Sequence, residues 1–190
     1  MSRSASGREA GYVLAGGASR RMGRDKALLA DGGEPLLLRV AEVVTAAAGS
    51  CAVVAPAGRY EGLGVPVLGD LWPGEGPLGG ILTALGSGDA EWNLIVAVDM
   101  PFLEKDFLRM LLDEARVAGR SLAPVHADGG LEPLCGVYHS GDLEKLRAFF
   151  AAGGRRVKDA LREIDVATVP AVAGMLRSVN TPEQWEAARS

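Results

Sequence analysis

Short apolar runs alternate with segments of helical length along this 190-residue chain. The apolar runs predict strands at residues 11–15, 51–55, 65–68, 93–98 and 121–125. Segments with the length and apolar spacing of helices lie between these runs, at residues 35–47, 77–87 and 102–119. Because strands that alternate with helices favour parallel pairing, we predict a Rossmann-like α/β fold, a mostly parallel sheet flanked by helices.

One domain accounts for the whole pattern, and we place it at residues 11–190, after a polar and flexible tail at residues 1–10. Pro66 predicts that the third strand is short or lies at a sheet edge. Asp142 is expected to cap a helix. In the last third, residues 126–140 predict a strand-turn-strand unit. Two helices are predicted at residues 142–153 and 155–164, and a closing helix is predicted to begin at Pro182.

Charge and cysteine content exclude several classes of protein. The net charge of −4 argues against a general nucleic-acid binder, which usually has a basic face. No apolar run approaches the length of about 18 residues that a membrane span needs. Cys51 and Cys135 lie far apart within apolar runs, so we predict two buried thiols, no zinc site, no disulfide framework and a cytoplasmic location.

Residues 13–29 read VLAGGASRRMGRDKALL, an apolar strand that runs directly into paired glycines and basic side chains. Glycines such as Gly16 and Gly17 let the backbone approach a ligand closely, and Arg21 and Lys26 can neutralise an anion. The segment is therefore typical of a phosphate-binding loop, most simply for a nucleotide. The alternative is a strand-to-helix turn whose glycines serve only tight packing.

Two common phosphate-binding motifs are excluded by spacing. A P-loop requires G-x-x-x-x-G-K, whereas Gly17 and Gly23 are six positions apart and Arg24 follows. A dinucleotide fingerprint requires G-x-G-x-x-G, whereas Gly16 and Gly17 are adjacent.

Two aspartates follow predicted strands. Asp99 directly follows the run 93–98, and in open α/β sheets ligands bind at the carboxyl ends of strands. Near a triphosphate such a carboxylate serves as an anchor for Mg²⁺. The alternative role for Asp99 is the N-cap of a helix that begins near residue 101. Asp70 precedes a loop that opens a helix near Pro77, and its alternative is a solvated loop acid.

The glycine-rich run also resembles the signature L-A-G-G-x-S-x-R-M-G-x-D-K-x-L of nucleotidyltransferases that activate small phosphorylated molecules with an NTP. Later segments narrow this resemblance, because G-P-L-x-G-I, D-M-P-F, E-P-L-C-G-V-Y, G-x-R-R and V-N-T-P-E are similar to those of molybdenum cofactor guanylyltransferases. The matching segments begin at Gly76, Asp99, Glu132, Gly153 or Gly154, and Val179. They extend over nearly the whole chain.

The resemblance implies a nucleotidyltransferase that joins GMP from GTP to molybdopterin bearing molybdenum and releases pyrophosphate. It implies Mg²⁺ held by Asp99, and Lys26 and Arg21 acting on the triphosphate. It further implies transient contacts with molybdenum insertion proteins and acceptor molybdoenzymes. The nucleotide-binding positions that it implies are Leu14, Ala15, Gly16, Gly17, Lys26, Asp70, Asp99 and Asn180.

One position departs from the family pattern. Many members have an asparagine after the second strand, where this chain has Ala55, which cannot donate a hydrogen bond to a base. A CTP-dependent molybdopterin cytidylyltransferase, an enzyme for another small phosphate, and a non-catalytic nucleotide-binding protein are the alternatives. Arg155 and Arg156 are candidates for the pterin phosphate, or else a solvated helix start.

Overall fold

The central feature of the fold is a seven-stranded sheet, seen in a computed structural model that describes residues 8–16, 25–31, 34–179 and 184. A separate two-stranded ribbon is formed by β2 (Ala30–Asp31) and β3 (Glu34–Pro35). The strands of the described residues are β1 (Glu9–Leu14), β2 (Ala30–Asp31), β3 (Glu34–Pro35), β4 (Ala52–Ala55), β5 (Val67–Gly69), β6 (Trp92–Ala97), β7 (Leu122–Val125), β8 (Cys135–His139) and β9 (Ala167–Pro170).

The strand order in the sheet is β5-β4-β1-β6-β8-β7-β9. The strands β5, β4, β1 and β6 are mutually parallel, whereas β8 is antiparallel to both of its neighbours. Every residue of β6 is buried, which is typical of a strand covered on both faces. The parallel half of the sheet therefore places four carboxyl ends at one edge.

Helices cover both faces of the sheet and create two cores. One buried cluster includes residues of helices α1 (Leu36–Ala48) and α3 (Lys105–Ala118), and the other includes residues of the three remaining helices. The helices of the described residues are α1 (Leu36–Ala48), α2 (Pro77–Leu85), α3 (Lys105–Ala118), α4 (Leu143–Ala151) and α5 (Val157–Ala160). Short 3-10 turns lie at Lys26–Leu28, Ser140–Asp142 and Leu161–Glu163.

The predicted fold class is confirmed, and most predicted elements lie within two residues of their observed bounds. The strand predicted at residues 65–68 corresponds to β5, which is three residues long and lies at a sheet edge, as Pro66 predicts. One buried stripe runs along α3 and includes a residue just before the helix; its members are Leu103, Phe107, Leu111 and Ala115. Cys51 and Cys135 are free and buried, as predicted. In the part of the chain that the structure describes, no helix has the length and apolarity that a membrane crossing needs.

Three details differ from the sequence-based expectations. The tail prediction extended too far, because β1 begins at Glu9 and the described residues contradict a tail at positions 9 and 10. Residues 1–7 lie outside the described part of the chain. The side chain of Asp142 does not cap α4, because it accepts a hydrogen bond from Ser121 Oγ at 2.6 Å instead. Strand β9 was not predicted; its four residues alternate between half-buried and exposed, and none of them is fully buried.

Candidate active site

The carboxyl ends of β1, β4, β5 and β6 meet at one edge of the sheet. Leu14, the last residue of β1, pairs with Val54 on one side and Ala97 on the other. Ala55 pairs with Gly69 at the end of β5. Because ligands of open α/β sheets bind outside the carboxyl ends of the strands, this edge is the expected binding position.

A cavity of about 320 Å³ opens at this edge. The beginning of α2 forms one wall, so the positive end of a helix dipole faces the space, which favours an anion. Most of the remaining wall is apolar, with polar groups at a few points. The lining residues are Leu14, Gly16, Lys26, Val54, Asp70, Gly74, Gly76, Pro77, Gly80, Ala97, Val98, Asp99 and Leu134.

Lys26 and Asp99 form an ion pair in the cavity wall. Lys26 Nζ donates to Asp99 Oδ2 at 2.8 Å, and the two side chains are 21% and 17% exposed. The Asp99 carbonyl accepts from the amide of Val179 at 2.8 Å, which brings the C-terminal segment to the site. The helix-cap alternative for Asp99 is wrong, because α3 begins only at Lys105 and its N-cap residue is Glu104.

Asp70 is held in the cavity wall by the loop that follows β5. Its amide donates to the Ala55 carbonyl at 2.7 Å. Its Oδ1 accepts from the Trp72 amide at 3.0 Å and lies 3.2 Å from the buried hydroxyl of Thr83. Its Oδ2 would lie 3.5 Å from a Cβ atom added to Gly16, so a side chain there would reduce the space beside the carboxylate. Asp70 is therefore an ordered group of the site and not a freely solvated acid.

The structure brings five of the predicted site residues together in the cavity wall. Ala15 is buried, and its amide donates to the Val54 carbonyl at 2.9 Å. It therefore fixes the backbone between the lining residues Leu14 and Gly16 without lining the cavity itself. The predictions for Gly17, Arg21 and Asn180 lie outside the described residues. The five that line the cavity are Leu14, Gly16, Lys26, Asp70 and Asp99.

Arg155 has local partners beside the cavity. Its Nε donates to Glu75 Oε2 at 2.6 Å, and its guanidinium carbon lies 4.0 Å from the centre of the Phe150 ring. These contacts join the end of α4 to the loop before α2. Arg156 is exposed at the N-cap of α5. A role for either arginine at the pterin phosphate stays a prediction.

Sequence patterns did not indicate several residues that lie at or near the cavity. Thr83 and Leu134 are ordinary members of a helical and an apolar segment, and nothing local distinguishes them. Tyr60 lies in a glycine-rich loop, and its hydroxyl reaches Asp25 beside Lys26. The one available signal for Tyr60 was an aromatic residue among glycines, which by itself indicates no role.

Comparison with known proteins agrees with this geometry. The MobA-like NTP transferase domain matches residues 11–168 of the chain. A Deinococcus radiodurans protein named "Probable molybdenum cofactor guanylyltransferase" is 37% identical over 171 residues, which cover 90% of this chain and 88% of that protein. The molybdenum cofactor guanylyltransferase of Cereibacter sphaeroides is 40% identical over 155 residues, 77% of each chain.

A solved structure shows the same fold with related sequence. Molybdopterin-guanine dinucleotide biosynthesis protein A from Archaeoglobus fulgidus superposes with a TM-score of 0.76 at 27% identity, covering 94% of this chain and 96% of that one. The resemblance deduced from the sequence motifs is thereby confirmed. This chain belongs to the molybdenum cofactor guanylyltransferase family of MobA-like NTP transferases.

Proposed function

We propose that this protein transfers GMP from GTP to the terminal phosphate of molybdenum-bearing molybdopterin, with release of pyrophosphate. The observation that carries the proposal is the Lys26–Asp99 pair in a cavity at the carboxyl ends of parallel strands. The names of the relatives support the choice of substrates. The reaction would yield the guanine dinucleotide form of the cofactor.

The reaction needs no nucleophilic side chain. The attacking group is a phosphate monoester, which is itself the nucleophile near neutral pH. The protein must therefore bring two anions together and stabilise the charge that develops on the leaving pyrophosphate. Lys26 supplies a cation in the cavity, and the beginning of α2 supplies a favourable dipole. Arg21 is our further candidate for the triphosphate.

Asp99 is our candidate ligand for Mg²⁺. The donor chemistry fits, because the carboxylate residue Asp99 belongs to the cavity wall and Mg²⁺ prefers oxygen ligands. Among the described residues no group of three or more acidic, histidine or cysteine side chains could hold a metal. Mg²⁺ sites are commonly built from one or two carboxylates together with substrate phosphates. The ion would neutralise charge on the triphosphate and the departing pyrophosphate.

The side chain of Ala55 offers no hydrogen bond for recognition of the base. Ala55, which stands where the family resemblance implies an asparagine, is fully buried, and its carbonyl accepts a hydrogen bond from the Asp70 amide. Guanine contacts would therefore come from backbone groups near Gly16 and from the carboxylate of Asp70. A site built to pair with polar groups of one base rejects bases that lack them.

The test is competition among equal concentrations of GTP, CTP and ATP in the presence of Mg²⁺ and molybdenum-bearing molybdopterin. We expect mainly the guanine dinucleotide by mass spectrometry. A mainly cytosine-containing product would contradict guanylyl transfer and support the cytidylyltransferase alternative. Binding of nucleotide without any pyrophosphate release would support the non-catalytic alternative.

The product has to reach the enzymes that use it. We therefore also propose transient contacts with molybdenum insertion proteins and with acceptor molybdoenzymes. The free thiols of Cys51 and Cys135 agree with a reducing compartment, and we assign the reaction to the cytoplasm.

A further inference from the structure

Tyr60 has an unusual backbone conformation in the loop between β4 and β5. Its φ angle is 62°, and among the described residues it is the one non-glycine residue with a positive φ. Its neighbours Gly58, Gly62 and Gly64 also have positive φ, and glycine adopts that conformation at little cost. A bulky aromatic residue adopts it only where its surroundings compensate for the strain. The contacts of the Tyr60 side chain should therefore be what keeps it there.

The Tyr60 hydroxyl joins two parts of the nucleotide site. It lies 2.9 Å from Asp25 Oδ2 and 3.3 Å from the carbonyl oxygen of Ala15. Ala15 follows β1, and Asp25 directly precedes Lys26, so the hydroxyl contacts both flanks of the glycine-rich segment. Arg59 also donates to Asp25 Oδ2. Burial, together with the hydrogen bond to Asp25, raises the pKa of Tyr60, so the hydroxyl keeps the proton that it donates.

Asp25 transmits this contact to Lys26. Its other oxygen, Oδ1, accepts from the amide of Ala27 at 3.1 Å and so caps the 3-10 turn Lys26–Leu28. Lys26 extends from that turn to Asp99 Oδ2 at 2.8 Å. Because both oxygens of Asp25 are engaged, its carboxylate orientation and the start of the turn are set together. The position of the Lys26 ammonium depends on that turn.

We propose that Tyr60 is a positioning residue that acts through Asp25 to hold Lys26 at the nucleotide triphosphate. The inference rests on the proposed function for the identity of the nucleotide. Tyr60 is not among the residues that line the cavity. Its effect on catalysis is therefore indirect, through the geometry of Lys26.

Tyr12 offers a matched comparison. Like Tyr60, it is buried and absent from the cavity wall, but its hydroxyl lies 2.9 Å from Ser87 Oγ rather than beside Asp25. Replacing Tyr12 by phenylalanine removes one buried hydroxyl contact without touching Asp25 or Lys26. A general effect of losing a tyrosine hydroxyl should therefore occur in both variants, and a positioning effect should occur only at Tyr60.

The experiment compares Tyr60→Phe and Tyr12→Phe in the wild-type and Lys26→Ala backgrounds. We expect Tyr60→Phe to lower kcat/KM for GTP about tenfold, as loss of one charge-assisted hydrogen bond would, and Tyr12→Phe to change it less than about twofold. In the Lys26→Ala background, Tyr60→Phe should cause no further loss, because residues that act through one another are not additive. Equal losses in both backgrounds, or equal losses for both tyrosines, would overturn the inference.

A substitute variant keeps the inference testable if the first one is unstable. If Tyr60→Phe does not fold, Asp25→Asn replaces it, since the amide oxygen can still accept from Ala27 while the charge that Arg59 and Tyr60 contact is lost. It should show the same dependence on Lys26, and an additive loss would again overturn the inference.

Calorimetric titration separates this inference from the proposed function. If wild-type protein does not turn over GTP, the proposed function fails, and the same four-variant comparison is made on the Kd of whichever of GTP, CTP or ATP binds. Dependence of the Tyr60 effect on Lys26 would then support the inference alone. Failure of all three nucleotides to bind would overturn both.

Discussion

At the scale of single residues, the site depends on pairs brought together from distant positions in the chain. Lys26 and Asp99 are 73 positions apart, and Asp70 and Thr83 are 13 apart. In each case a carboxylate at the end of a strand has a partner from another element. The partly buried position of the Lys26–Asp99 pair reduces screening by water, so its charges act more strongly on a ligand than surface charges would.

Asp99→Asn should nearly abolish metal-dependent turnover while leaving the fold intact. A lost metal anchor removes several kcal/mol of charge stabilisation, which corresponds to a fall of about 100-fold or more in kcat. Steady-state pyrophosphate release with and without Mg²⁺ measures the effect, and circular dichroism checks the fold. Asp89→Asn is the control, because Asp89 is 87% exposed and lies before the opposite end of β6. Near wild-type activity of the Asp99 variant would remove Asp99 from the metal site.

At the scale of elements, the approach of α1 to β1 determines how closely one helical layer packs on the sheet. Gly11 lies in β1, where an added Cβ atom would be 2.4 Å from Val44 Cγ1 and 2.5 Å from the Ser50 carbonyl oxygen. Real Cβ atoms do not approach other atoms so closely, and one of the two contacts is with backbone, which moves less easily than a side chain. The absence of a side chain at Gly11 therefore permits the packing.

Gly11→Ala should lower the free energy of unfolding by about 1–3 kcal/mol, since overpacking forces neighbouring groups to shift. Urea denaturation followed by circular dichroism measures the change. Gly88→Ala is the control, because an added Cβ atom there meets nothing within 4 Å, and we expect a change within about 0.5 kcal/mol. Equal stabilities of the two variants would show that α1 can move away from β1 at no cost.

At the scale of the whole molecule, burial keeps several weak acids protonated in the folded state. Burial raises the pKa of Cys51 from its usual 9.0 to about 12, and burial also raises the pKa values of Cys135 and Tyr138. In the unfolded chain these groups lose their protons at lower pH than in the folded protein. The unfolded state is therefore favoured progressively as the pH rises above about 9.

We expect the free energy of unfolding to fall as the pH rises from about 9 towards 12, by up to about 1.4 kcal/mol per pH unit for each such group. The sign follows because the folded state binds more protons than the unfolded state in this range. Denaturant titrations at about pH 8, 9 and 10 measure the slope. Cys51→Ala should have a smaller slope than the wild type, and an unchanged slope would contradict burial of that thiol as its cause.

Local sequence patterns alone determined the order and type of most elements and the family of the chain. Strand and helix periodicities arise from residues close together in the chain, so β1, β4 and β6 and the helices α1 and α3 could be predicted. The glycine-rich motif and its lysine are likewise contiguous. They pointed to Lys26, and the ends of predicted strands pointed to Asp70 and Asp99.

Only the tertiary structure determined which of these residues are in contact and which hydrogen bonds fix their positions. The sequence leaves open a helix-cap role for Asp99, and the start of α3 at Lys105 excludes that role. Tyr60 lies 35 positions from Asp25, so no local pattern could reveal their hydrogen bond. Such contacts depend on the register of β1, β4 and β6 and on the path of the loops between them. Long-range packing specifies both, which is why the sequence indicated the candidate residues Lys26, Asp70 and Asp99 but not the contacts that support them.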